Sequence, residues 1–176
     1  MSVDLASLIV DVPDFPRAGI TFYDITPLLA SAAGLAATVD QLVDAAPPAD
    51  LVLGIEARGF LLAAPVACRL GLGVVPIRKP GKLPRAVVSV DYELEYRTDT
   101  VAVHADAVPA GSQVLIVDDV LATGGTVAAT ADLVAKLGAT VAGVLVLAEL
   151  PELGPRDRLA DHGVTAVTSL LTLGGR

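Results

Sequence analysis

Apolar segments and segments with helical spacing alternate along most of this 176-residue chain. Short, wholly apolar runs predict strands at residues 51–55, 74–77, 114–117 and 141–147. The spacing of apolar residues predicts helices from Thr26 to just before Pro47, from Phe60 to Leu70 and from Val127 to Leu137. Strands that are apolar throughout and alternate with helices predict an α/β fold, with a parallel sheet flanked by helices.

Two segments depart from this alternation. Residues 11–29 contain Pro13 and Pro16, which lack backbone donors and disfavour helix before them, so we predict a structured loop there. This loop follows a helical turn or two within Met1–Ile9, and the dipeptide Thr26–Pro27 ends it by starting a helix, with the Thr26 hydroxyl as its cap.

The second departure is the stretch from Val87 to Val103, where polar and apolar residues alternate. This pattern predicts exposed antiparallel strands or a hairpin. Because the stretch lies between two core strands and follows a Pro/Gly-rich loop, it is a candidate lid. Glu93 and Glu95 lie two positions apart, so a strand would present both on one face.

Composition narrows the class of protein. Hydrophobic residues make up 53% of the chain and charged residues 18%, which favours one compact domain with a proper core. No apolar run has membrane-spanning length, and the N-terminus has no signal-peptide pattern, so we expect a cytoplasmic protein without a membrane partner. The net charge of −8 disfavours nucleic acid as a partner. The single cysteine, Cys68, cannot form an internal disulfide and is expected to pack in the core.

The segment V-L-I-V-D-D-V-L-A-T-G-G-T carries the clearest chemistry. Its apolar strand ends at Asp118 and Asp119, and the small turn from Ala122 to Thr126 leads into a helix. Glycines permit left-handed backbone angles, so amide groups can converge on a phosphate at the positive end of that helix. The turn has no lysine, which excludes the P-loop. The two carboxylates would repel phosphate and should face sugar hydroxyls or a cation, and together these features predict a site for a ribose 5-phosphate.

Charged residues also follow the other predicted strands. In parallel sheets ligands bind at the carboxyl ends of the strands. Six charged residues fall at those ends: Glu56, Arg58, Arg78, Lys79, Asp118 and Asp119. Taken alone, Glu56 and Arg58 would be interpreted as a surface ion pair before a helix.

A cluster of cations and a set of aromatic residues complete the candidate site. Arg78, Lys79, Lys82 and Arg85 lie within eight positions of an otherwise acidic chain, an arrangement suited to a multiply charged anion such as pyrophosphate. All six aromatic residues precede residue 97. A flat base would therefore have to bind the N-terminal loop, the Phe60 region or the lid.

Five segments occur in a definite order: P-D-F-P-R-A-G-I-T-F-Y-D-I-T-P-L-L, I-E-A-R-G-F, R-K-P-G-K-L-P, Y-E-L-E-Y and the V-D-D-V-L-A-T-G-G-T block. This set resembles the adenine phosphoribosyltransferases, a family of type I phosphoribosyltransferases, from roughly Val10 to Glu149. The resemblance implies transfer of the 5-phosphoribosyl group from phosphoribosyl pyrophosphate (PRPP) to adenine, giving AMP and pyrophosphate in purine salvage. It also implies a homodimer and Mg²⁺ bound mainly through PRPP. A single domain, 1–176, would carry an N-terminal base-binding hood at about 1–30 and a lid at about 79–103.

The same resemblance implies roles for individual residues. Asp118 and Asp119 would bind the ribose hydroxyls, and Ala122, Thr123, Gly124, Gly125 and Thr126 would bind the 5-phosphate. Glu56, Ala57, Arg78, Lys79 and Lys82 would serve the pyrophosphate, with a non-proline cis peptide between Glu56 and Ala57. Thr21, Phe22 and Arg58 would contact adenine, and Glu95 would be the catalytic carboxylate. No direct protein ligand for the metal is assigned.

Four positions differ from the family pattern: Tyr23 replaces a basic residue, Arg85 and Arg97 replace glycines, and Ala105 replaces a lysine. Tyr23 could weaken closure over the base, and the arginines could stiffen the lid. Three other functions remain open. A phosphoribosyltransferase for another base is disfavoured by the R-G-F and Y-E-L-E-Y segments. A PRPP-sensing regulator would need a DNA-binding region, for which Met1–Ile9 leaves no room, and a generic nucleotide-binding protein is disfavoured by the missing P-loop lysine.

Overall fold

The structure is a computed structural model that describes residues 3–94 and 97–174. The chain divides between Gln41 and Leu42 into two compact units. The first unit holds a 3₁₀ turn and four further elements, of which the last runs on past the boundary: Ala6–Leu8, β1 Val10–Val12, β2 Phe22–Asp24, α1 Thr26–Ala30 and α2 Ala32–Asp44.

The first unit contains more regular structure than its sequence predicts. Residues 11–29, expected to form a loop, include two strands, β1 and β2, which pair antiparallel. The chain between these strands is tied locally, because the Asp14 carboxylate accepts a hydrogen bond from the Gly19 amide at 2.7 Å. Phe15 packs edge-on against Phe22 with 5.3 Å between the ring centroids.

The expected start of α1 is confirmed, but its cap is not. The Thr26 hydroxyl donates to the Asp24 carboxylate at 2.9 Å, and the Thr26 amide donates to the same carboxylate at 2.9 Å, so Asp24 is the capping acceptor. The single helix predicted up to Pro47 is two helices. Ser31 is extended between them, and its hydroxyl accepts the Gly34 amide at 3.1 Å, which caps α2.

The second unit is built on a five-stranded sheet in the order β4-β3-β7-β8-β9, with every neighbouring pair parallel. The predicted α/β fold, a parallel sheet flanked by helices, is therefore confirmed. Its elements are β3 Leu51–Ile55, α3 Gly59–Leu70, β4 Gly73–Ile77, β5 Val87–Leu94, β6 Arg97–His104, β7 Gln113–Leu121, α4 Gly125–Lys136, β8 Thr140–Glu149, α5 Pro155–Asp161 and β9 Val167–Thr172. Helix α3 packs on β3, β4 and β7, and α4 packs on β7 and β8.

Strand β7 is longer than predicted. It continues through Asp118 and Asp119 to Leu121, because β8 pairs with it along its whole length, as far as Leu121 opposite Glu149. The two acids therefore lie within a strand and do not end it. Helix α5 and strand β9 were not predicted, since α5 spans only seven residues and β9 is a half-exposed edge strand with polar residues in its sequence.

The predicted hairpin is confirmed, since β5 and β6 pair antiparallel from Val87 opposite His104. The expectation that it is exposed is wrong for one of its faces. Val90, Val101 and Val103 are buried in the main core, and α4 packs against both strands. Strand β6 is also tied to the sheet, because Arg78 and Ala102 exchange two backbone hydrogen bonds of 2.9 and 2.8 Å. The hairpin is thus anchored on its inner side.

Cys68 is exposed, so its expected place in the core is wrong. Helix α3 buries Leu62, Ala63, Val66 and Ala67, a set with helical period, and Cys68 falls on the opposite side of the helix. Among the described helices, none combines the length and the apolar character needed to cross a bilayer.

Candidate active site

The turn between β7 and α4 forms a concave, glycine-lined surface. Gly124 has a left-handed backbone with φ of 77°, and α4 begins at the next residue. The first turn of a helix leaves amide groups without intrahelical partners, so this turn has donors available for an anion. The depression has a volume of about 80 Å³ and is lined by Asp118 and residues 120–127. We refer to Ala122–Thr126 as the phosphate loop.

Two glycines of the phosphate loop have close neighbours. A Cβ on Gly124 would lie 3.1 Å from the backbone oxygen of Pro155 at the start of α5, in addition to requiring a strained left-handed angle. A Cβ on Gly125 would lie 3.1 Å from Arg158 Nη1 and 3.4 Å from the Tyr92 ring. The loop is therefore held from behind by α5 and from the side by β5.

The two carboxylates beside the loop have different surroundings. Asp119 is buried, and its Oδ2 lies 2.8 Å from Arg58 Nε at the start of α3. Asp118 keeps some accessible surface, but its carboxylate is crowded, since a Cβ on Gly59 would lie 2.8 Å from Asp118 Oδ1. Burial of the carboxyl group, followed by the negative charge of Asp119, raises the pKa of Asp118 well above its ordinary value.

Glu56 connects the ends of β3 and β4. The peptide bond between Glu56 and Ala57 is cis, as the family resemblance implies. Glu56 Oε2 accepts hydrogen bonds from Arg78 Nε at 3.0 Å and from the Lys79 amide at 2.7 Å. Burial alone would raise the pKa of Glu56, but these two hydrogen bonds and the charges of Arg78 and Lys82 outweigh it, and the pKa is lowered. Glu56 and Arg58 therefore have different partners, and the alternative of an ion pair between them is wrong.

The Lys79 side chain is held by the hairpin. Its Nζ donates to Asp99 Oδ2 at 2.6 Å and to the Tyr92 hydroxyl at 2.8 Å. The Tyr92 hydroxyl also lies 3.0 Å from Thr126 Oγ1, in the phosphate loop. Burial would lower the pKa of Lys79, but the bonds to Asp99 and Tyr92 outweigh it and the pKa is raised.

Sequence reasoning missed Asp99, and it noted Tyr92 only as one of six aromatic residues. The two residues face each other across β5 and β6. Tyr92 and Asp99 are seven positions apart in sequence and become neighbours only when β5 and β6 pair in this register. Their role could therefore have been found only from the register of the hairpin.

The other candidate residues are dispersed. Thr21 and Phe22 lie in the first unit, at the start of β2. The predicted catalytic residue, Glu95, lies outside the described residues. Lys82 is close enough for its charge to lower the pKa of Glu56. Among the positions that differ from the family pattern, Arg85 forms an exposed ion pair with Asp106.

The charged residues at the carboxyl ends of β3, β4 and β7 do lie close together, as expected. Contacts link Glu56 to Arg78 and Lys79, and Arg58 to Asp119. Together they place a concave set of amide donors, two carboxylates and several cations along one edge of a sheet. Such a surface is suited to a ligand with a phosphate at one end, a diol in the middle and a second anionic group at the other end.

Comparison with known proteins agrees with this chemistry. Residues 21–168 match the family model described as a phosphoribosyl transferase domain. The chain is 59% identical over 170 residues to adenine phosphoribosyltransferase of Cutibacterium acnes, with 96% of each chain covered.

Two solved structures have the same fold. The crystal structure of adenine phosphoribosyltransferase from Thermoanaerobacter pseudethanolicus has a TM-score of 0.93 and 46% identity, covering 97% of this chain and 98% of that one. The Giardia lamblia enzyme, solved with 9-deazaadenine, has a TM-score of 0.93 and 36% identity, with 99% of each chain covered. Residues 78–85, with the cations Arg78, Lys79, Lys82 and Arg85, are called the basic loop below. The domain match and these relatives show that this chain belongs to the phosphoribosyltransferase family, among the adenine phosphoribosyltransferases.

Proposed function

We propose that this chain transfers the 5-phosphoribosyl group from PRPP to adenine, giving AMP and pyrophosphate in purine salvage. The observation that carries the proposal is the line of contacts between two anion-binding segments, from Lys79 in the basic loop through Tyr92 to Thr126 in the phosphate loop. PRPP carries a phosphate and a pyrophosphate on one ribose, so its two ends require two such segments at a short separation. The similarity to adenine phosphoribosyltransferases supports adenine as the acceptor.

The phosphate loop and the acids beside it bind the ribose 5-phosphate in this proposal. Backbone amides of Ala122–Thr126, together with the hydroxyls of Thr123 and Thr126, hold the 5-phosphate at the positive end of α4. Asp118 and Asp119 accept hydrogen bonds from the ribose hydroxyls. Arg58 fixes the Asp119 carboxylate by its 2.8 Å contact, which supports an oriented acceptor in place of a mobile one.

The basic loop and the Glu56–Ala57 turn receive the leaving group. Displacement at the anomeric carbon passes through a state with positive charge on the sugar and growing negative charge on pyrophosphate. Arg78, Lys79 and Lys82 stabilise that negative charge. Glu56 orients Arg78 and the Lys79 amide by its two hydrogen bonds, and the Glu56–Ala57 backbone is placed to contact the pyrophosphate.

The proposed adenine contacts and catalytic group rest on the family resemblance. Thr21, Phe22 and Arg58 contact the base, and Glu95 is the carboxylate that acts on the purine ring nitrogen. The Giardia lamblia relative was solved with 9-deazaadenine, which supports a site for an adenine-like base in this family. A lid at about 79–103 would exclude water, which would otherwise hydrolyse PRPP.

Mg²⁺ fits this site as a metal carried by PRPP. Among the described residues, no group of three or more His, Cys, Asp or Glu side chains could hold a metal ion. Asp119 is already paired with Arg58, although its buried Oδ2 has no aligned hydrogen bond, and Asp118 is the remaining acid at the rim. PRPP oxygens and water would therefore supply most of the metal ligands, and the ion would neutralise the charge of the pyrophosphate.

The proposal extends to the organisation of the protein. We expect a cytoplasmic homodimer, with 1–176 acting as one phosphoribosyltransferase domain and a base-binding hood at about 1–30. The measured oligomeric state in solution tests the dimer.

A base-specificity assay tests the proposed function. The purified protein is incubated with PRPP, Mg²⁺ and, in turn, adenine, hypoxanthine, guanine, xanthine, uracil and orotate, and nucleotide formation is followed by chromatography. We expect AMP from adenine at a rate far above that of any other nucleotide. Formation of a different nucleotide as the main product would assign the chain to another base, and no nucleotide with any base would contradict the proposed activity.

A further inference from the structure

Side chains of the hairpin make a continuous hydrogen-bonded connection between the basic loop and the phosphate loop. We call this connection the latch. It consists of Lys79 Nζ, Asp99 Oδ2, the Tyr92 hydroxyl and Thr126 Oγ1, with contacts of 2.6, 2.8, 3.2 and 3.0 Å. Lys79 also lies over the Tyr92 ring, 5.2 Å from its centroid. All four side chains belong to the second unit, and none is fully exposed.

Each contact of the latch has the chemistry of a substrate contact. Asp99 presents a carboxylate oxygen to Lys79, as a pyrophosphate oxygen would. The Tyr92 hydroxyl oxygen lies within hydrogen-bond distance of Thr126 Oγ1, as an accepting phosphate oxygen would. A hydroxyl has one proton, so when Tyr92 accepts from Lys79 it donates to only one of Asp99 and Thr126 at a time. In the latch, Lys79 and Thr126 are therefore bonded to other protein groups, although the proposed function assigns both side chains to PRPP.

The charges make the two arrangements unfavourable together. Pyrophosphate carries several negative charges, and its contact with Lys79 would bring them beside the Asp99 carboxylate. Like charges at that distance repel, and the repulsion is stronger in a partly buried site than in water. Pyrophosphate on Lys79 would therefore weaken the contact of Lys79 with Asp99, and Tyr92 lies on the facing strand at the position paired with Asp99.

We propose that the hairpin competes with PRPP for the site, with Asp99 in place of the pyrophosphate on Lys79 and Tyr92 in place of the 5-phosphate on Thr126. This inference rests on the proposed function, because it names PRPP as the competitor. In the absence of PRPP the latch fixes the hairpin, and PRPP binding releases it. Part of the PRPP binding energy is consequently used to open the latch, and weakening the latch makes PRPP bind more tightly.

Titration calorimetry of the full chain with pyrophosphate, ribose 5-phosphate and PRPP, each with Mg²⁺, tests the latch. In Asp99→Asn the shape is retained and the charge is lost. Because one partly exposed charged hydrogen bond is removed from the competing state, pyrophosphate and PRPP should bind about threefold to tenfold more tightly. Ribose 5-phosphate, which does not need Lys79, should change less.

The matched control is Asp106→Asn. It removes the same charge from the exposed Arg85–Asp106 ion pair, just beyond the end of β6, and neither residue is among those assigned to pyrophosphate. A general effect of net charge on anion binding would appear equally in both variants. We expect pyrophosphate affinity to be unchanged in Asp106→Asn, and an equal gain in the two variants would overturn the proposal.

Tyr92→Phe tests the same proposal through the other contact. The variant keeps the ring beside Gly125 and removes the hydroxyl from Thr126. If Tyr92 competes with the 5-phosphate, ribose 5-phosphate binds about twofold to threefold more tightly. If the hydroxyl instead supports Thr126 for binding, the affinity falls, and that result would overturn the latch.

The outcomes separate the latch from the function on which it rests. Failure of the wild-type chain to bind PRPP would overturn the proposed function and the latch together. Binding by the wild type with no gain in folded Asp99→Asn or Tyr92→Phe would overturn the latch alone. Thermal unfolding of each variant establishes that it is folded, and the two substitutions probe separate contacts.

Discussion

The phosphate loop and the basic loop, both proposed as anion sites, lie at one sheet edge but are built differently. The phosphate loop relies on backbone amides and glycines, supported from behind by Pro155 and beside by Tyr92. The basic loop relies on side-chain cations, and two of them, Arg78 and Lys79, already have carboxylate partners in Glu56 and Asp99. The backbone donors of the first site are preorganised, and only its Thr126 hydroxyl has an internal partner, in Tyr92, whereas the cations of the second site are paired with carboxylates that a ligand must rearrange.

This difference follows from the chemistry of the donors. A backbone amide carries only a partial charge and can face an empty concavity without a partner anion. A partly buried ammonium or guanidinium group is costly to leave unpaired, so the fold provides carboxylates for it. In an anion site made of side chains, the cations are therefore paired with carboxylates of the protein until a ligand competes for them. The phosphate loop and the basic loop should consequently respond differently to substitution.

The largest effect should come from Gly124→Val in the preorganised half. A β-branched residue resists the left-handed angle of 77°, and its Cβ would crowd the Pro155 oxygen, so the loop amides should be displaced and PRPP binding abolished. Titration calorimetry on the folded variant measures this. Gly111→Val is the matched control, because Gly111 has φ of 85° but nothing near its Cβ position. Unchanged PRPP affinity in folded Gly124→Val would refute the loop assignment.

The next effect concerns Glu95, which lies in sequence between β5 and β6. Acting in the transition state, it should influence turnover more than binding, so Glu95→Gln should lower turnover by about 10²-fold or more with little change in PRPP affinity. Steady-state kinetics and calorimetry together separate the two quantities. Full activity of Glu95→Gln with an inactive Glu93→Gln would show that the neighbouring carboxylate is the catalytic one.

A smaller effect should appear in stability at Asp118. Its pKa is raised in the folded protein, so the folded state holds its proton more tightly than the unfolded state does. The charged form of Asp118 lowers the stability of the folded state. This loss is absent below the pKa that Asp118 has in the unfolded chain, and it grows as the pH rises towards the pKa in the folded protein. Asp118→Asn should therefore raise the thermal midpoint at pH 8 by a few degrees, at roughly 2–4 °C per kcal/mol, and much less at pH 4.

The exposed acid Asp161 provides the comparison for this measurement. Asp161→Asn should show no such pH-dependent gain. An Asp118→Asn midpoint that rises equally at both pH values would mean that the gain does not arise from the buried charge.

The smallest effect should come from Arg85, the cation of the basic loop with an exposed partner. Its ion pair with Asp106 leaves 59% of the Arg85 side chain and 67% of the Asp106 side chain exposed. Exposed pairs contribute little to stability, so Arg85→Ala should leave the thermal midpoint and PRPP affinity unchanged within error. A clear loss of PRPP affinity would place Arg85 in the pyrophosphate site with Arg78 and Lys79.

Sequence reasoning succeeded where the controlling interactions are local. The left-handed position at Gly124 lies in a short turn between a strand and a helix, and those elements can be identified from apolar runs alone. The meeting of Glu56, Arg78 and Asp118 at one sheet edge follows from strand order in a parallel sheet. The cis bond at Glu56–Ala57 was anticipated only through the family resemblance.

The parts that were missed depend on long-range packing. Asp99 acquires its role from the register between β5 and β6, which the alternating pattern of that stretch does not specify. Pro155 supports Gly124 from a helix that begins 31 positions further along the chain, and a seven-residue helix has too little periodicity to be recognised. Cys68 was misplaced because apolar neighbours in sequence were treated as neighbours in space.

The central claim is that backbone amides of the phosphate loop bind the ribose 5-phosphate. Amide NMR of the ¹⁵N-labelled chain, titrated with ribose 5-phosphate, tests it most directly. If these amides bind the phosphate, the amide protons of Gly124, Gly125 and Thr126 should shift downfield and saturate together, with smaller changes at Lys79. Saturable shifts elsewhere with these three amides unmoved, or no response at millimolar ligand, would contradict the claim.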